Sequence, residues 1–191
     1  MKNMELPTSS EVEKELMREQ YKRRYKRTLK SSVFALVTAA AAAVLVATLW
    51  LPVLQIFGSS MTPTLQEGQI VISVKAKDLK PGDIVAFYYG NKVLVKRYIA
   101  GPGTWVDIQE DGTILLNGEV LEEPYITEKD FGICDLERPY QVPEESYFLV
   151  GDHRETSVDS RHSSVGCISM EQIVGKIVYR VWPMDVFGTV N

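Results

Sequence analysis

The chain begins with a polar segment, continues through a long apolar stretch and then changes to short apolar runs. Residues 33–54 form the apolar stretch, and its only polar members are Thr38 and Thr48. At a rise of about 1.5 Å per residue, a helix of this length reaches about 33 Å, enough to cross a hydrocarbon core of about 30 Å. The pattern predicts a transmembrane helix within an anchor of residues 31–56.

A buried helix of a soluble protein and a cleaved secretory signal are the alternatives for this stretch. The absence of charge over such a length argues against a soluble core helix. A secretory signal has an apolar region of about 7–15 residues that ends in a small-residue cleavage site. Here the apolar run is longer, and its alanines at 39–43 lie inside it. The sequence therefore favours an uncleaved anchor.

The distribution of charge predicts the orientation of this anchor. Residues 1–30 contain nine Lys and Arg against five Glu, whereas the rest of the chain is acidic. Cationic residues next to a membrane helix favour the cytoplasmic side. We therefore expect residues 1–30 in the cytoplasm and residues 57–191 outside it, on a protein of the cell membrane. The overall net charge of −4 argues against a nucleic-acid partner.

The short apolar runs after residue 56 predict a mainly β fold of antiparallel sheets and hairpins. Asp111-Gly112 and Asn117-Gly118 each separate two apolar runs, which is a strong hairpin signal. Residues 122–146 contain Pro, Glu and Tyr and predict an irregular connection. The runs rich in β-branched and aromatic residues predict strands at 69–76, 83–89, 92–99, 147–150 and 173–182.

Two polar segments of this β region are candidates for chemistry. The first, Ser60-Met61-Thr62-Pro63-Thr64, is on its own an ordinary turn-forming sequence. The second places Lys96 and Arg97 within an apolar strand, so alternation predicts that one of them faces inward. A buried lysine loses its proton more readily and becomes a general base, whereas an outward lysine on an edge strand would be solvated.

A third polar segment, residues 151–161, carries Asp, Arg and Ser at close spacing. Carboxylates and guanidiniums in such a loop can pair in bidentate fashion and hold a site rigid. On its own, the segment is equally compatible with a solvated turn.

Taken in order behind the predicted anchor, the three segments resemble the type I signal peptidases. These are membrane-anchored serine proteases that remove signal peptides from exported proteins. The resemblance rests on Ser60-Met61-x-Pro63-Thr64, on Lys96-Arg97 followed by Gly101-Pro102-Gly103, and on Gly151-Asp152-x-Arg154 through Ser157-x-Asp159-Ser160-Arg161. The short spacing between the last two motifs is similar to that of the compact members from Gram-positive bacteria.

The resemblance implies Ser60 as nucleophile and Lys96 as general base, with Ser59 as the adjacent rival for the nucleophile. It implies that Ser157 orients the lysine and that the Ser60 N–H stabilises the oxyanion. Gly58 occupies a position where some members carry a second oxyanion donor. Here either the backbone alone suffices or another group supplies the second hydrogen bond. Further implied roles are the ion pair of Asp159 and Arg161, the bracing residues Asp152 and Arg154, and the substrate-binding residues Met61 and Pro63.

The resemblance also implies the partners. We expect exported preproteins cut after Ala-x-Ala, membrane lipid around the anchor, the secretion translocase as a further candidate partner, and no metal or cofactor. His153 and His162 lie in contexts typical of surface histidines. The residues leave open whether Cys134 and Cys167 form a disulfide.

Two other functions are compatible with parts of the sequence. A self-cleaving repressor with a Ser/Lys dyad requires an N-terminal DNA-binding domain, for which residues 1–30 are too short. A non-enzymatic surface scaffold or sensor with a β domain outside the membrane requires the three motifs to be coincidental.

Overall fold

The structure, a computed structural model, describes residues 9–50, 52–75 and 78–190. It divides into two compact units, one before and one from residue 50 onward. All the described residues of the first unit belong to helix α1, Ser9–Trp50. Among the described residues, one helix has the length and apolar composition needed for a membrane crossing, within Val12–Leu45.

The helix ends before the end of the predicted apolar span. We expected the span to continue to Leu54, but α1 ends at Trp50 and Val53–Gln55 form strand β1. Pro52 lies between the two elements and lacks the N–H that a helix interior requires, which accounts for the change. The last residues of the predicted span therefore belong to the second unit. Residues 1–8 of the predicted cytoplasmic segment lie outside the described part of the chain.

The second unit is built from antiparallel strands, as the sequence predicted. The larger sheet has the order β1-β2-β11-β3-β4-β9-β10, with β12 paired to β11, and the smaller has the order β7-β6-β5-β8. The strands are β1 Val53–Gln55, β2 Ile70–Val74, β3 Ile84–Tyr89, β4 Lys92–Ala100, β5 Trp105–Ile108, β6 Ile114–Leu116, β7 Glu119–Val120, β8 Tyr140–Gln141, β9 Ser146–Val150, β10 Ile168–Ser169, β11 Ile173–Trp182 and β12 Gly188–Thr189.

These bounds confirm the predicted strands to within two residues at each described end; residue 76, the predicted end of the 69–76 strand, lies outside the described part. The turn between β6 and β7 has positive φ at Asn117 (52°) and Gly118 (88°), which is the backbone of a type I′ hairpin. Apart from the 3₁₀ turns Met170–Gln172 and Met184–Val186, the described part of this unit contains no helix. The predicted irregular connection, residues 122–146, has no regular structure as far as residue 139, but β8 and the first residue of β9 lie within it, so its predicted end was too late.

One of the apolar clusters anchors the segment that carries Ser60. Met61 and Leu65 are 2% and 0% exposed and pack in one cluster with Ile56, Val71 and Ile84. Full burial of a side chain of this size contributes about 1.5–3 kcal/mol relative to exposure. The apolar residues that flank Ser60 therefore fix its loop to the sheet.

Candidate active site

Ser60 lies on a tight loop between β1 and β2. The Leu65 N–H donates to the Met61 carbonyl at 2.8 Å, and the Thr62 N–H donates to the Ser59 carbonyl at 3.0 Å. The Ser60 side chain is half-buried, whereas Ser59 is exposed. Gly58 has a φ of 79°, a left-handed conformation that favours glycine.

Lys96 lies in β4 opposite Val85 of β3, and its side chain is 3% exposed. Its Nζ donates to Ser157 Oγ at 2.8 Å. Burial lowers the pKa of Lys96 from 10.5 to about 8; the charges of Asp159 and Asp152 oppose this change and that of Arg161 reinforces it. A lysine with this pKa is partly neutral near physiological pH, as a general base must be.

The neighbouring Arg97 is also buried, at 1% exposure. Alternation led us to expect that one of the two cations faces inward; the structure buries both. Successive side chains point to opposite faces of a strand, so both faces of β4 are covered here. Arg97 donates to Asp152 through Nε and Nη2, at 2.9 and 2.7 Å, and its guanidinium lies 3.8 Å from the ring centroid of Tyr125.

The charged loop of residues 151–161 follows directly from β9, which pairs with β4. Asp159 and Arg161 form a buried ion pair of 2.9 Å between Oδ1 and Nε. Burial alone would raise the pKa of Asp159, but the Arg161 guanidinium and the Gly151 N–H hold the pKa below its ordinary value. The loop is therefore a rigid charged element rather than a solvated turn.

Asp152 and Arg154 belong to this element, but each pairs with a residue outside it. Asp152 pairs with Arg97, and it also accepts a short hydrogen bond from Thr64 of the Ser60 loop. Arg154 pairs with Glu123, whose carboxylate also accepts the Tyr125 hydroxyl at 2.8 Å. Asp152 thereby connects three segments of the site.

Gly151 brings the Ser60 loop, β4 and the charged loop into contact. The His153 N–H donates to the Ser60 carbonyl at 3.1 Å. A Cβ on Gly151 would overlap both Ser157 Oγ and the Ser60 carbonyl oxygen. Ser157 in turn contacts Lys96. Gly151 and Ser157 therefore form the link between the backbone of Ser60 and the lysine.

Ser60 and Lys96 also share a groove of about 590 Å³. One wall consists of residues 53–58 and the other of residues 92–96, and most of the lining side chains are apolar. Met61 also lines the groove, while Pro63 is exposed and is not among the lining residues. The structure thus brings together all the predicted site residues except Pro63 around one groove and its supporting loop.

The sequence did not single out Thr64, Glu123 or Tyr125 as functional residues. Thr64 belongs to the first motif, so its contact with Asp152 had at least a positional signal. Glu123 and Tyr125 lie in the irregular connection and carry no signal, because their partners are 28 to 31 residues away in the chain.

The remaining candidate side chains do not line the groove. His153 contacts Thr156 through its ring at 2.9 Å, and the His162 ring contacts Ser164. Cys134 and Cys167 are free thiols that pack against one apolar cluster, and burial raises the pKa of Cys167 to about 11. In the described part of the chain, no group of three or more His, Cys, Asp and Glu is placed to hold a metal ion.

Comparisons with known proteins identify the class of this chain as a peptidase. The family described as "Signal peptidase, peptidase S26" matches residues 29–182. The chain is 35% identical over 150 residues to Signal peptidase IB of Staphylococcus aureus, covering 68% of this chain and 77% of that protein. It is 34% identical over 166 residues to Signal peptidase I of Bacillus caldolyticus, covering 77% and 90%.

A solved structure is also similar, that of a signal peptidase I from Enterococcus faecalis V583. The identity is 28% and the TM-score is 0.45, with coverage of 52% of this chain and 97% of that one. On the family match and the identities to the two relatives, the chain belongs to the signal peptidase family, peptidase S26.

Proposed function

We propose that this protein is a membrane-anchored serine endopeptidase that removes signal peptides from exported preproteins with a Ser60/Lys96 dyad. The observation that carries the dyad is the shared groove: Ser60 and the buried Lys96 line the same cleft, and the base is the lysine with the depressed pKa. Family membership supports the class of substrate.

The reaction begins when neutral Lys96 takes the proton of Ser60 Oγ as this oxygen attacks the scissile carbonyl carbon. The Ser60 N–H donates to the oxyanion. Lys96 then protonates the leaving amine as the C–N bond breaks, which leaves an acyl ester on Ser60. Water attacks the ester, Lys96 accepts the water proton, and the proton returns to Ser60 Oγ as the ester bond breaks. Ser157 holds Lys96 in position by its hydrogen bond, and Asp159 with Arg161 holds the loop that carries Ser157.

The groove supports binding of an extended peptide. Strand β1 lies at the end of the larger sheet, and in the described residues β9 pairs with β4 only from Arg97 onward. Both walls therefore present backbone edges to which a substrate strand can add. Most of the side chains that line the groove beside Ser60 are apolar, Met61 among them, which supports binding of apolar substrate side chains such as those of Ala-x-Ala.

Helix α1 supports a membrane location for the reaction. Only nine residues separate Trp50 from Ser60, which supports action on preproteins that are themselves held in the bilayer or leaving it. The cations ahead of residue 33 support a cytoplasmic N-terminus and an extracytoplasmic catalytic unit. On this basis the proposed partners are preproteins and surrounding lipid, with the secretion translocase as a further candidate.

The test is cleavage of a preprotein by the detergent-solubilised full-length protein, with the cut mapped by mass spectrometry. We expect a cut after Ala-x-Ala that EDTA does not prevent. A matched preprotein with Phe in place of the last Ala should be cut at least about a hundredfold more slowly, because a pocket filled by its own side chains rejects added bulk. Equal cleavage of the Ala and Phe preproteins, or no cleavage of either, would contradict the proposal.

A further inference from the structure

Glu123 is a buried carboxylate that no step of the reaction uses. It is 8% exposed and comes from the irregular connection after β7. Its two oxygens face the Arg154 guanidinium, with a distance of 3.0 Å between Arg154 Nη1 and Glu123 Oε2 and a shorter contact to Oε1. Tyr125, two residues on, donates its hydroxyl to the same carboxylate at 2.8 Å.

The guanidinium of Arg154 transmits this contact to the site. Its Nε donates to the Gly151 carbonyl at 3.1 Å, and the Arg154 carbonyl accepts Arg161 Nη2 at 2.8 Å. Gly151 has no room for a side chain because it lies directly against the Ser60 carbonyl and Ser157 Oγ. A shift of Gly151 would therefore also shift the Ser60 backbone and Ser157, and with them the positions of Ser60 and Lys96.

The same segment also contacts the strand that carries the proposed base. The Tyr125 ring lies on Arg97, the residue next to Lys96, and its hydroxyl is tied to Glu123. Burial and the Glu123 carboxylate raise the pKa of Tyr125 above its ordinary value, so the phenol remains a donor. This short segment thus contacts two guanidiniums, that of Arg97 in β4 and that of Arg154 in the charged loop.

We propose that Glu123 is a positioning residue of the peptidase: through Arg154 and Gly151 it sets the distance between Ser60 and Lys96. This inference rests on the proposed Ser60/Lys96 dyad. Positioning differs from a purely structural role because Glu123 pairs with Arg154, and Arg154 donates to the Gly151 carbonyl. Gly151 lies against both the Ser60 carbonyl and Ser157, the residue that orients the base.

The first test is Glu123→Gln in the full-length protein, with Glu122→Gln as the matched control at an exposed neighbouring site. We expect Glu123→Gln to lower kcat about ten- to a hundredfold per folded molecule with KM within about twofold, because small misplacements of reacting groups have effects of this size. The control should match the wild type.

A pH profile separates positioning from loss of folded protein. Asp159, Asp152 and Arg161 are the charges that act on Lys96, and all three lie in the charged loop. Loss of the Glu123–Arg154 ion pair in Glu123→Gln should loosen this loop and admit water to the lysine. Water raises the lysine pKa, so the acid limb of kcat/KM should move to higher pH in Glu123→Gln. A fall in the folded fraction alone would lower the whole profile without moving the limb.

The double variant Glu123→Leu/Arg154→Met covers the case in which Glu123→Gln does not fold. Replacing a buried ion pair by apolar residues of similar size often preserves folding. We expect this variant to fold and to show the same loss of kcat. Wild-type kcat in a folded double variant, or an unmoved acid limb in a folded Glu123→Gln, would overturn the inference. Parallel assays of Ser60→Ala keep the two proposals distinct, since activity of that variant would reject the dyad instead.

Discussion

Ser60→Ala and Lys96→Arg should each lower kcat/KM for a preprotein by about 10⁴-fold or more. The alanine variant has no hydroxyl to form the acyl ester. The arginine variant retains the positive charge but cannot release its proton near neutral pH. The double variant Ser60→Ala/Lys96→Arg should be no worse than either single one, because the two groups act as a unit.

Ser59→Ala and His153→Ala are the matched controls for this loss. Ser59 is the adjacent hydroxyl and is exposed, while His153 is the histidine within the charged loop of residues 151–161. Both variants should retain activity within about twofold of the wild type. An inactive Ser59→Ala together with an active Ser60→Ala would identify Ser59 as the nucleophile. Turnover by Lys96→Arg would exclude a lysine base.

Lys96→Met should make the catalytic unit more stable while it removes activity. In the folded protein the pKa of Lys96 is about 8, against 10.5 in its ordinary state, so the charged lysine destabilises the folded state by about 3 kcal/mol at pH 7. The loss of the hydrogen bond to Ser157 offsets about 1 kcal/mol of the gain. We expect the free energy of unfolding to rise by about 2 kcal/mol.

The pH dependence of this gain identifies its cause. The folded protein releases the Lys96 proton at about pH 8 and the unfolded chain at about 10.5, so the unfolded chain binds more protons between these values. Wild-type stability should therefore rise with pH across that window, and the advantage of Lys96→Met should shrink there. Urea unfolding of the full-length protein measures this, with the exposed Lys92→Met as control. A Lys96→Met protein that is less stable at pH 7 would contradict the burial of a charged lysine.

The longer strands and the three polar motifs were predictable because their signals are local. The β-branched run that became β11 and the Asn117-Gly118 turn depend on neighbouring residues alone. The end of α1 was misjudged because hydropathy does not register that Pro52 interrupts a helix in an apolar stretch.

The partners of the buried charges were not predictable, because they depend on the tertiary fold. Asp152 pairs with Arg97 across 55 residues, and Arg154 pairs with Glu123 across 31. Nothing in the spacing of the charged loop distinguishes these partners from pairs within the loop. The burial of both Lys96 and Arg97 likewise requires covering segments from both sides of β4, which alternation along one strand does not reveal.

The pH dependence of kcat/KM for preprotein cleavage by the wild-type protein tests the neutral lysine base most directly. The acid limb reports the pKa of the essential base in the free enzyme. With Lys96 as that base, kcat/KM should rise about tenfold per pH unit below pH 8 and level off above about 8, and His153→Ala should leave the limb in place. An acid limb at about pH 6.5, typical of histidine, that disappears in His153→Ala would contradict the account.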